Sequence, residues 1–377
     1  MIFAKHWAAS LDDYAIDLAW SPDGTLLAAA SAAGGITLHD AATGAVKHTL
    51  TGHEEGANAL AWAPASQGTE DGEPKTGVPA LSPSSGPCPL PSVLASGGQD
   101  GCVRFWDAAT GAQTAEVKLG NAWVEHLCWQ VIPGTGNGGQ KTEALLFAAA
   151  GRKLVALRAD GTVAHTFPDA PKTISALAAS PPASSPPSSA AAAVAAACFG
   201  HVVIWDATTF AAQKEFPYGN AIYALTWSPD RRWLVAGCHD NAVHLWVPAE
   251  EDMELHMSGY ETRLKELSFS PDSKWLATGG GRDACVWDCS GTGPEGREPL
   301  LLPHNARVCA VAFQHSHGLL AAGAANGEFT LWAPTRKNPM VAEVRMPSAP
   351  TKFAWRGDDS LLAVGTEKGQ VFVFKTA

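Results

Sequence analysis

The sequence has little charge and lacks several motifs that mark specific functions. Only 17% of its 377 residues are charged, the formal net charge is −11, and Tyr occurs 4 times against 14 Trp. This acidic balance disfavours nucleic acid as a partner. The sequence also lacks a phosphate-cradling Walker motif, a dinucleotide-binding glycine motif and the periodicity of a long helix. These absences argue against nucleotide-dependent enzymes and helical folds.

Long hydrophobic segments are missing as well. The longest apolar run, residues 190–199, is too short and too rich in alanine to span a bilayer. Residues 1–14 lack the basic start and apolar core of a signal peptide. The eight cysteines are scattered without a repeated spacing, as expected of reduced thiols in a reducing compartment. We therefore expect a cytoplasmic protein that does not associate with membranes.

What the sequence does have is an internal repeat. Two segments show the unit: residues 221–246 (AIYALTWSPDRRWLVAGCHDNAVHLW) and residues 263–287 (RLKELSFSPDSKWLATGGGRDACVW). Each has an alternating strand, a Ser-Pro-Asp turn, a second apolar strand, a glycine-containing turn and a strand that ends in Trp. Period-two patterning and tight turns predict three antiparallel strands per repeat.

The closing position of the third strand recurs along the whole chain. Its later copies are 41 to 45 residues apart and its earlier copies 47 to 67 apart. Insertions rich in Pro, Gly and Ser explain the longer spacings and predict disordered loops near 65–92, 133–140 and 180–189. The eight closing positions are His39-Asp40, Trp106-Asp107, Arg158, Trp205-Asp206, Trp246, Trp287-Asp288, Trp332 and Phe374.

A period near 42 residues with Trp-Asp closures is similar to the pattern of WD40-repeat proteins, over essentially the whole chain. The resemblance implies an all-β fold, with residues 1–377 forming a single eight-bladed β-propeller of four-stranded antiparallel blades. A seven-bladed ring, in which a degenerate third or fourth repeat is lost, is the alternative. The last repeat has no outer strand of its own. We therefore expect residues 2–7 to complete that blade and close the ring, which removes exposed sheet edges.

The resemblance also implies a buried hydrogen-bond relay, which is complete only in the second repeat. Its members there are His53, Ser96, Asp100 and Trp106. Buried polar groups need partners, and each of these side chains supplies one to the next. The same Ser, His and Asp could form a nucleophilic triad, but their repeat positions favour the structural role. No catalytic residue is predicted, and the third to sixth repeats are expected to depend on apolar packing.

Three small groups of residues could ligate a metal ion. None has the paired ligand spacing typical of zinc sites, and a cysteine within a strand is usually a small hydrophobe. No metal site and no cofactor are therefore predicted. The groups are His315 with His317, then Cys285, Cys289, Cys309 and His304, and finally Cys238, His239 and His244.

Members of this family commonly bind partners around the central channel, on the face that carries the turns between second and third strands. Such turns are rigidly held, exposed and free to vary. The repeat register places Arg, Lys and aromatic side chains there, and Arg and aromatic residues dominate interface energetics. This predicts a monomeric, non-catalytic scaffold with a basic face for an acidic peptide or a phosphate-bearing ligand. The predicted partner-binding residues are Trp123, Arg152, Lys153, Tyr223, His239, Arg263, Arg282, Arg307 and Lys352.

Residues 257–296 and the segment NAWVEHLCW at 121–129 resemble a bacterial WD40 subgroup associated with CobW-type GTP-binding metallochaperones. This finer resemblance implies an alternative function, an accessory protein of zinc homeostasis with a CobW-type GTPase as its partner. Stoichiometric zinc in the purified protein would favour that alternative. An enzyme is the third hypothesis, and the sequence offers no set of acidic or metal-ligating channel residues for it.

Overall fold

The computed structural model describes residues 3–64, 92–133, 142–182, 191–250 and 253–376. These residues contain 32 β-strands and no helix. The strands form eight four-stranded antiparallel sheets, each of them one blade of a propeller. The prediction of eight blades is confirmed, and the seven-bladed alternative is wrong because the third and fourth repeats both form complete blades. The three predicted disordered loops lie mainly outside the described residues.

The first strands of successive blades contact one another in order around the ring and thereby surround a central channel. Each blade then runs outward from that inner strand. The first four blades comprise β2 (Ala15–Trp20), β3 (Leu26–Ser31), β4 (Ile36–Asp40) and β5 (Val46–Leu50); β6 (Ala57–Trp62), β7 (Val93–Gly98), β8 (Cys102–Asp107) and β9 (Gln113–Lys118); β10 (Val124–Pro133), β11 (Thr142–Ala150), β12 (Lys153–Leu157) and β13 (Val163–Thr166); β14 (Ile174–Ala179), β15 (Ala193–Cys198), β16 (Gly200–Asp206) and β17 (Ala212–Tyr218).

The second half of the ring repeats this order, with β1 (Phe3–Ser10) as the outer strand of the last blade. The blades comprise β18 (Ile222–Trp227), β19 (Leu234–Cys238), β20 (Val243–Trp246) and β21 (Glu254–Met257); β22 (Leu267–Phe269), β23 (Trp275–Thr278), β24 (Asp283–Asp288) and β25 (Leu300–Pro303); β26 (Val308–Phe313), β27 (Leu320–Ala324), β28 (Glu328–Trp332) and β29 (Met340–Arg345); β30 (Pro350–Trp355), β31 (Leu361–Thr366), β32 (Gln370–Thr376) and β1.

The ring closes through the amino-terminal strand, as the sequence predicts. Strand β1 pairs antiparallel with β32 from Phe3 opposite Thr376 to Ser10 opposite Gln370. It therefore runs three residues further than the predicted segment 2–7. Because β1 covers the outer edge of β32, the last blade has the same four strands as the other seven.

The hydrophobic core is divided among the blade interfaces. Eight clusters of buried side chains occur among the described residues, and each cluster joins two neighbouring blades. The cluster at the closure contains Trp7, Leu27 and Val373, which brings the two ends of the described chain into one core. Apolar burial at each interface stabilises the ring, so that no blade is stabilised independently of its neighbours.

Tryptophans of the inner strands also connect neighbouring blades. Each indole Nε1–H donates a hydrogen bond to an inner-strand carbonyl of the preceding blade, at distances of 2.9 to 3.2 Å. The bond from Trp20 to Ala354 O, at 2.9 Å, crosses the closure. The five bonds are Trp20 to Ala354, Trp62 to Ala19, Trp129 to Ala61, Trp227 to Ala178 and Trp355 to Ala312.

The cysteines in the described ranges are all free thiols. Four of the seven are buried and three are half-buried, so they contribute to packing within the blades. Within those ranges, no helix has the length and apolar character needed to cross a membrane.

Candidate functional site at the channel mouth

The central channel contains a cavity of about 1120 Å³ against the inner strands of blades 6, 7, 8 and 1. Its walls extend from residues that enter the inner strands, such as Arg307, to residues that follow them, such as His315. The cavity thus follows the channel along the blades instead of lying within a blade core. Three of the predicted partner-binding residues, Arg263, Arg307 and Lys352, line it together.

Cations predominate among the charged side chains that line this cavity. Four of the six are cationic, although the chain as a whole carries a net charge of −11. All four are exposed. We call them the channel-mouth cations: Arg263, Lys265, Arg307 and Lys352.

One channel-mouth cation is neutralised by the fold and the others are not. Lys352 Nζ lies 3.0 Å from Asp17 Oδ1, across the ring closure. The attraction of Asp17 raises the pKa of Lys352 and keeps its ammonium charged. Arg263, Lys265 and Arg307 form no ion pair with the described residues.

Tyr223 organises two of these free cations. Its half-buried ring lies 5.4 Å from Arg263 Cζ and 5.5 Å from Lys265 Nζ, so both cations can interact with the ring π-system. The ring of the exposed His239 lies 5.9 Å from the ring of Tyr223 on the other side of the blade turn. The aromatic ring thereby limits where Arg263 and Lys265 can point.

Burial shifts the pKa of two other titratable groups that line the cavity. Burial raises the pKa of Glu266, against the opposing effect of Arg307 and Lys265. Burial also raises the pKa of Cys309 to about 12, so this thiol remains protonated at neutral pH. Its Sγ–H donates to Pro350 O at 3.1 Å. A thiol held in this state is a poor nucleophile.

The remaining predicted partner-binding residues lie apart from the cavity. Trp123 is 50% exposed just before β10 in blade 3, which is opposite blade 7 in the ring. Arg152 and Lys153 lie on the same blade, and both donate hydrogen bonds to backbone carbonyls. Arg282 lines a separate pocket of about 310 Å³ in blade 6. The structure therefore divides the nine residues between a channel-mouth group and more distant positions.

His126 lies on the inner strand of blade 3, where the sequence did not single it out, and we expect it to make stability depend on pH. Burial in the inner strand of blade 3 lowers its pKa from 6.5 to about 4. The unfolded chain therefore binds a proton between these values that the folded chain does not, and stability falls as the pH drops. We expect His126 to account for a loss of about 2 kcal/mol in the free energy of unfolding between pH 7 and pH 5. Urea unfolding at both pH values measures it.

The matched control is the same substitution at an exposed histidine. His126→Gln should remove that part of the pH dependence, whereas His239→Gln should leave the difference between pH 7 and pH 5 unchanged. Equal pH dependence in the wild type and in His126→Gln would contradict the assignment to His126.

The structure places the four relay residues of blade 2 in one hydrogen-bonded chain. Trp106 Nε1–H donates to Ser96 Oγ at 2.8 Å, and the same hydroxyl lies 2.8 Å from His53 Nε2. His53 Nδ1 lies 3.1 Å from Asp100 Oδ1. Ser96 is 0% exposed and His53 is 2% exposed, so a substrate cannot reach the hydroxyl. In this geometry the buried Trp106, Ser96 and His53 each have a hydrogen-bond partner, as a structural relay requires.

Arg104 is a fifth relay member that the sequence pattern missed. Its Nη1 lies 2.5 Å from Asp100 Oδ2 and 2.6 Å from His53 Nδ1, and the side chain is nearly buried. Burial acts to raise the pKa of Asp100, but hydrogen bonds from Arg104, the Cys102 amide and His53 together lower it. The signal available in the sequence was only the alternation of β8, which puts Arg104 on the same face as Trp106.

Tyrosines take the place of the relay histidine in blades 5 and 6. Tyr218 precedes its inner strand by four residues, as His53 does, and its OH donates to Asp240 Oδ2 at 2.7 Å. In blade 6, Trp287 Nε1–H donates to Tyr260 OH at 2.7 Å. The expectation that these two blades depend on apolar packing alone is therefore wrong. The four-residue offset from the inner strand was a signal that could have identified Tyr218, whereas Tyr260 precedes β22 by seven residues and offered no such signal.

Comparisons with known families agree with this architecture. Residues 3–65 match the model described as the anaphase-promoting complex subunit 4 WD40 domain. Residues 71–107, 213–247 and 254–288 match the model described as WD domain, G-beta repeat. The matches therefore cover the first two blades of the ring and two consecutive blades, 5 and 6, of its second half.

Two curated relatives share parts of the chain. The WD repeat-containing protein srw1 of Schizosaccharomyces pombe is 23% identical over 161 residues, which are 42% of this chain and 28% of that protein. The anaphase-promoting complex subunit cdc20 of Dictyostelium discoideum is 23% identical over 134 residues, which are 35% of this chain and 26% of that protein. The alignments span little more than a quarter of each relative, so they carry no whole-protein activity to this chain.

Solved structures match the ring along its whole length. The computationally designed Ika8 protein has a TM-score of 0.72 at 18% identity, covering 99% of this chain and 100% of its own. The Dos1 propeller has a TM-score of 0.76 at 16% identity, covering 99% of this chain and 95% of its own. Identities this low show the fold alone. With WD-repeat matches in four stretches and eight closed blades, this chain is a WD40-repeat protein that folds as an eight-bladed β-propeller.

Proposed function

We propose that the protein is a non-catalytic scaffold that binds an acidic segment of a partner protein at its channel mouth. The observation that carries this proposal is the group of channel-mouth cations on an otherwise acidic protein. WD40 propellers typically serve as protein-interaction scaffolds, which supports the general class of function. The acidic nature of the partner segment and its position are specific to the proposal.

Three features of the group suit an acidic ligand. Arg263, Lys265 and Arg307 are exposed and form no ion pair with the described residues, so a carboxylate would meet little internal competition. Tyr223 restricts two of them, which reduces the side-chain entropy lost on binding. The cavity behind them has room for side chains of an inserted segment. Electrostatic complementarity of this kind also selects partners and accelerates their association.

The proposal is tested by charge reversal at the channel mouth, with a matched charge reversal on the opposite face of the propeller as the control. We expect Arg263→Glu/Arg307→Glu to weaken the partner complex about 100-fold, because like charges would then face the acidic segment. The control, Arg336→Glu/Lys337→Glu, makes the same charge change at exposed residues in the turn between β28 and β29. Partners recovered with the tagged wild type from its native cell are compared with both variants by quantitative mass spectrometry and then titrated as purified proteins.

The partners that each variant retains, compared with those of the wild type, decide whether the channel mouth is the binding site. A partner lost by both variants alike, or by neither, would overturn the channel-mouth assignment. A partner that is lost only by a Trp123→Ala variant would place the binding site on blade 3. Recovery of a CobW-type GTPase with the wild type would favour the zinc-homeostasis alternative over a scaffold of another pathway.

A further inference from the structure

Blade 5 brings together three side chains that can ligate a metal ion, from a strand end, the following turn and the next strand. Cys238 ends β19, Asp240 lies in the following turn, and His244 is the second residue of β20. The Cys238 Sγ, a carboxylate oxygen of Asp240 and a ring nitrogen of His244 all lie within 4.8 Å of one another. Cys238 is fully buried, whereas Asp240 is exposed and gives access from solvent.

His244 is oriented as a metal ligand. Its Nδ1 lies 2.7 Å from Glu254 Oε1, and a carboxylate only accepts, so Nδ1 carries the proton when the imidazole is neutral. Its Nε2 is then an acceptor. This Nε2 is buried and has no hydrogen-bond partner among the described residues, and the residue is only 8% exposed. Metal-bound histidines commonly donate their other ring N–H to a carboxylate in this way.

The corresponding site of blade 2 shows what blade 5 lacks. There the third-strand position of His244 is held by Arg104, whose guanidinium lies 2.5 Å from Asp100 Oδ2. Asp240 has no ion pair in the part of the chain that the structure describes, and only the Tyr218 hydroxyl donates to it. Blade 5 therefore keeps the carboxylate of the relay but replaces its cation with a neutral imidazole.

We propose that Cys238, Asp240 and His244 bind one Zn²⁺ ion in blade 5. A mixed sulfur, nitrogen and oxygen donor set suits Zn²⁺, which binds its ligands at roughly 2.0–2.3 Å. Because the three ligand atoms lie within 4.8 Å of one another, small side-chain adjustments suffice to bring them to that distance from one ion. Binding releases the thiol proton of Cys238 to solvent, and the fourth coordination position is open to water beside Asp240.

The sequence analysis grouped Cys238 and His244 with His239 and left Asp240 out, and it assigned no site there because the ligands lack the paired spacing of zinc modules. The spacing Cys-x-Asp-x-x-x-His places them on a strand end, a turn and the next strand. Only the hairpin between β19 and β20 brings them together. The inference rests on this ligand geometry and does not depend on the channel-mouth proposal.

Metal content of the purified protein tests the proposal. The wild type, stripped with a chelator, reloaded with Zn²⁺ and dialysed against metal-free buffer, should retain one zinc per chain by mass spectrometry of the metal. Loading with Co²⁺ should give a visible spectrum with thiolate charge-transfer bands. Cys238→Ser and His244→Gln should lose the metal, while Cys285→Ser, which changes a half-buried thiol in blade 6, should retain it.

Two exposed positions keep the test decisive if a core variant fails to fold. Asp240→Asn should weaken zinc binding at least tenfold, and Glu254→Gln, which acts through His244, should weaken it roughly 10–100-fold. Far-UV circular dichroism should show the same fold for both. A wild type that retains no zinc, a Co²⁺ spectrum without thiolate bands, or equal zinc affinity in the wild type and Asp240→Asn would overturn the proposal.

Discussion

Deletion of residues 1–10 is expected to destabilise the entire ring, by more than about 5 kcal/mol in the free energy of unfolding. The deletion removes β1, which pairs with β32 over seven residue pairs. It also exposes the edge of β32 and opens the core cluster that joins blades 8 and 1. Urea unfolding followed by tryptophan fluorescence and far-UV circular dichroism measures the change.

The reason for so large an effect is that β1 contacts both blades of the closure. Phe3 stacks on Phe374 of its own blade with ring centroids 4.9 Å apart. Trp7 is 7% exposed, and its indole donates to Ala41 O of blade 1 at 2.9 Å. The strand thus belongs to blade 8 by pairing and holds blade 1 by a side chain. Its loss affects two interfaces at once.

A pair of tryptophan substitutions provides the control for that deletion. Trp7→Ala should cost about 3–5 kcal/mol, because it removes a large buried ring and leaves a cavity. Trp123→Ala removes the same side chain from an exposed position and should change stability by less than about 0.5 kcal/mol. A truncated protein that unfolds at the wild-type urea midpoint would show that β1 is an appendage and not the closure.

Features that recur at the repeat period could be predicted from the sequence. The eight closing positions, the outer strand supplied by the amino terminus and the face that carries Arg263, Arg307 and Lys352 all follow from register. Register places residues on a face, but it does not say which of them share a partner. That Asp17 neutralises Lys352 depends on the closure of the ring, which joins residues 335 positions apart in sequence.

The sequence pattern did not predict features that arise where one blade carries a different residue type from the repeat pattern. Arg104 lies in the relay of blade 2 because its position on the third strand brings the guanidinium against Asp100. Tyr218 replaces a histidine while keeping its hydrogen bond to Asp240, so a search for the histidine fails where the geometry persists. The buried environment fixes the need for a polar partner, but several side chains can meet that need.

Blade 7 shows the opposite case, a relay that keeps the histidine and the tryptophan but lacks the serine hydroxyl between them. The strand register puts Ala322 where blade 2 has Ser96, and His304 and Trp332 where blade 2 has the relay His and Trp. His304 Nε2 and Trp332 Nε1 are both buried without a hydrogen-bond partner among the described residues. The two rings pack with centroids 5.6 Å apart. These orphaned atoms are the ones that a serine hydroxyl joins in blade 2.

The hydrogen-bonding roles of the two orphaned atoms are complementary. His304 Nδ1 lies 3.0 Å from Leu302 O, and a carbonyl only accepts, so Nδ1 carries the proton of the neutral ring. Nε2 is then an acceptor, while Trp332 Nε1–H is a donor. Burial lowers the pKa of His304, which keeps the ring neutral at pH 7. One hydroxyl between them would donate to the first and accept from the second.

Ala322→Ser is therefore expected to stabilise the protein by about 1–2 kcal/mol, through two new buried hydrogen bonds. Ser96→Ala should destabilise it by about 2–4 kcal/mol, because it leaves the corresponding His and Trp atoms of blade 2 unpartnered. Urea unfolding at pH 7 measures both changes.

The neighbouring Ala321 provides the control. It is equally buried but alternates to the other face of β27, so Ala321→Ser adds a hydroxyl away from the relay and should cost about 1–3 kcal/mol. Opposite signs at adjacent alanines would show that the missing hydroxyl, and not strand polarity in general, limits the stability of blade 7. Equal losses at both positions would show that the interface is too tightly packed to accept a serine there.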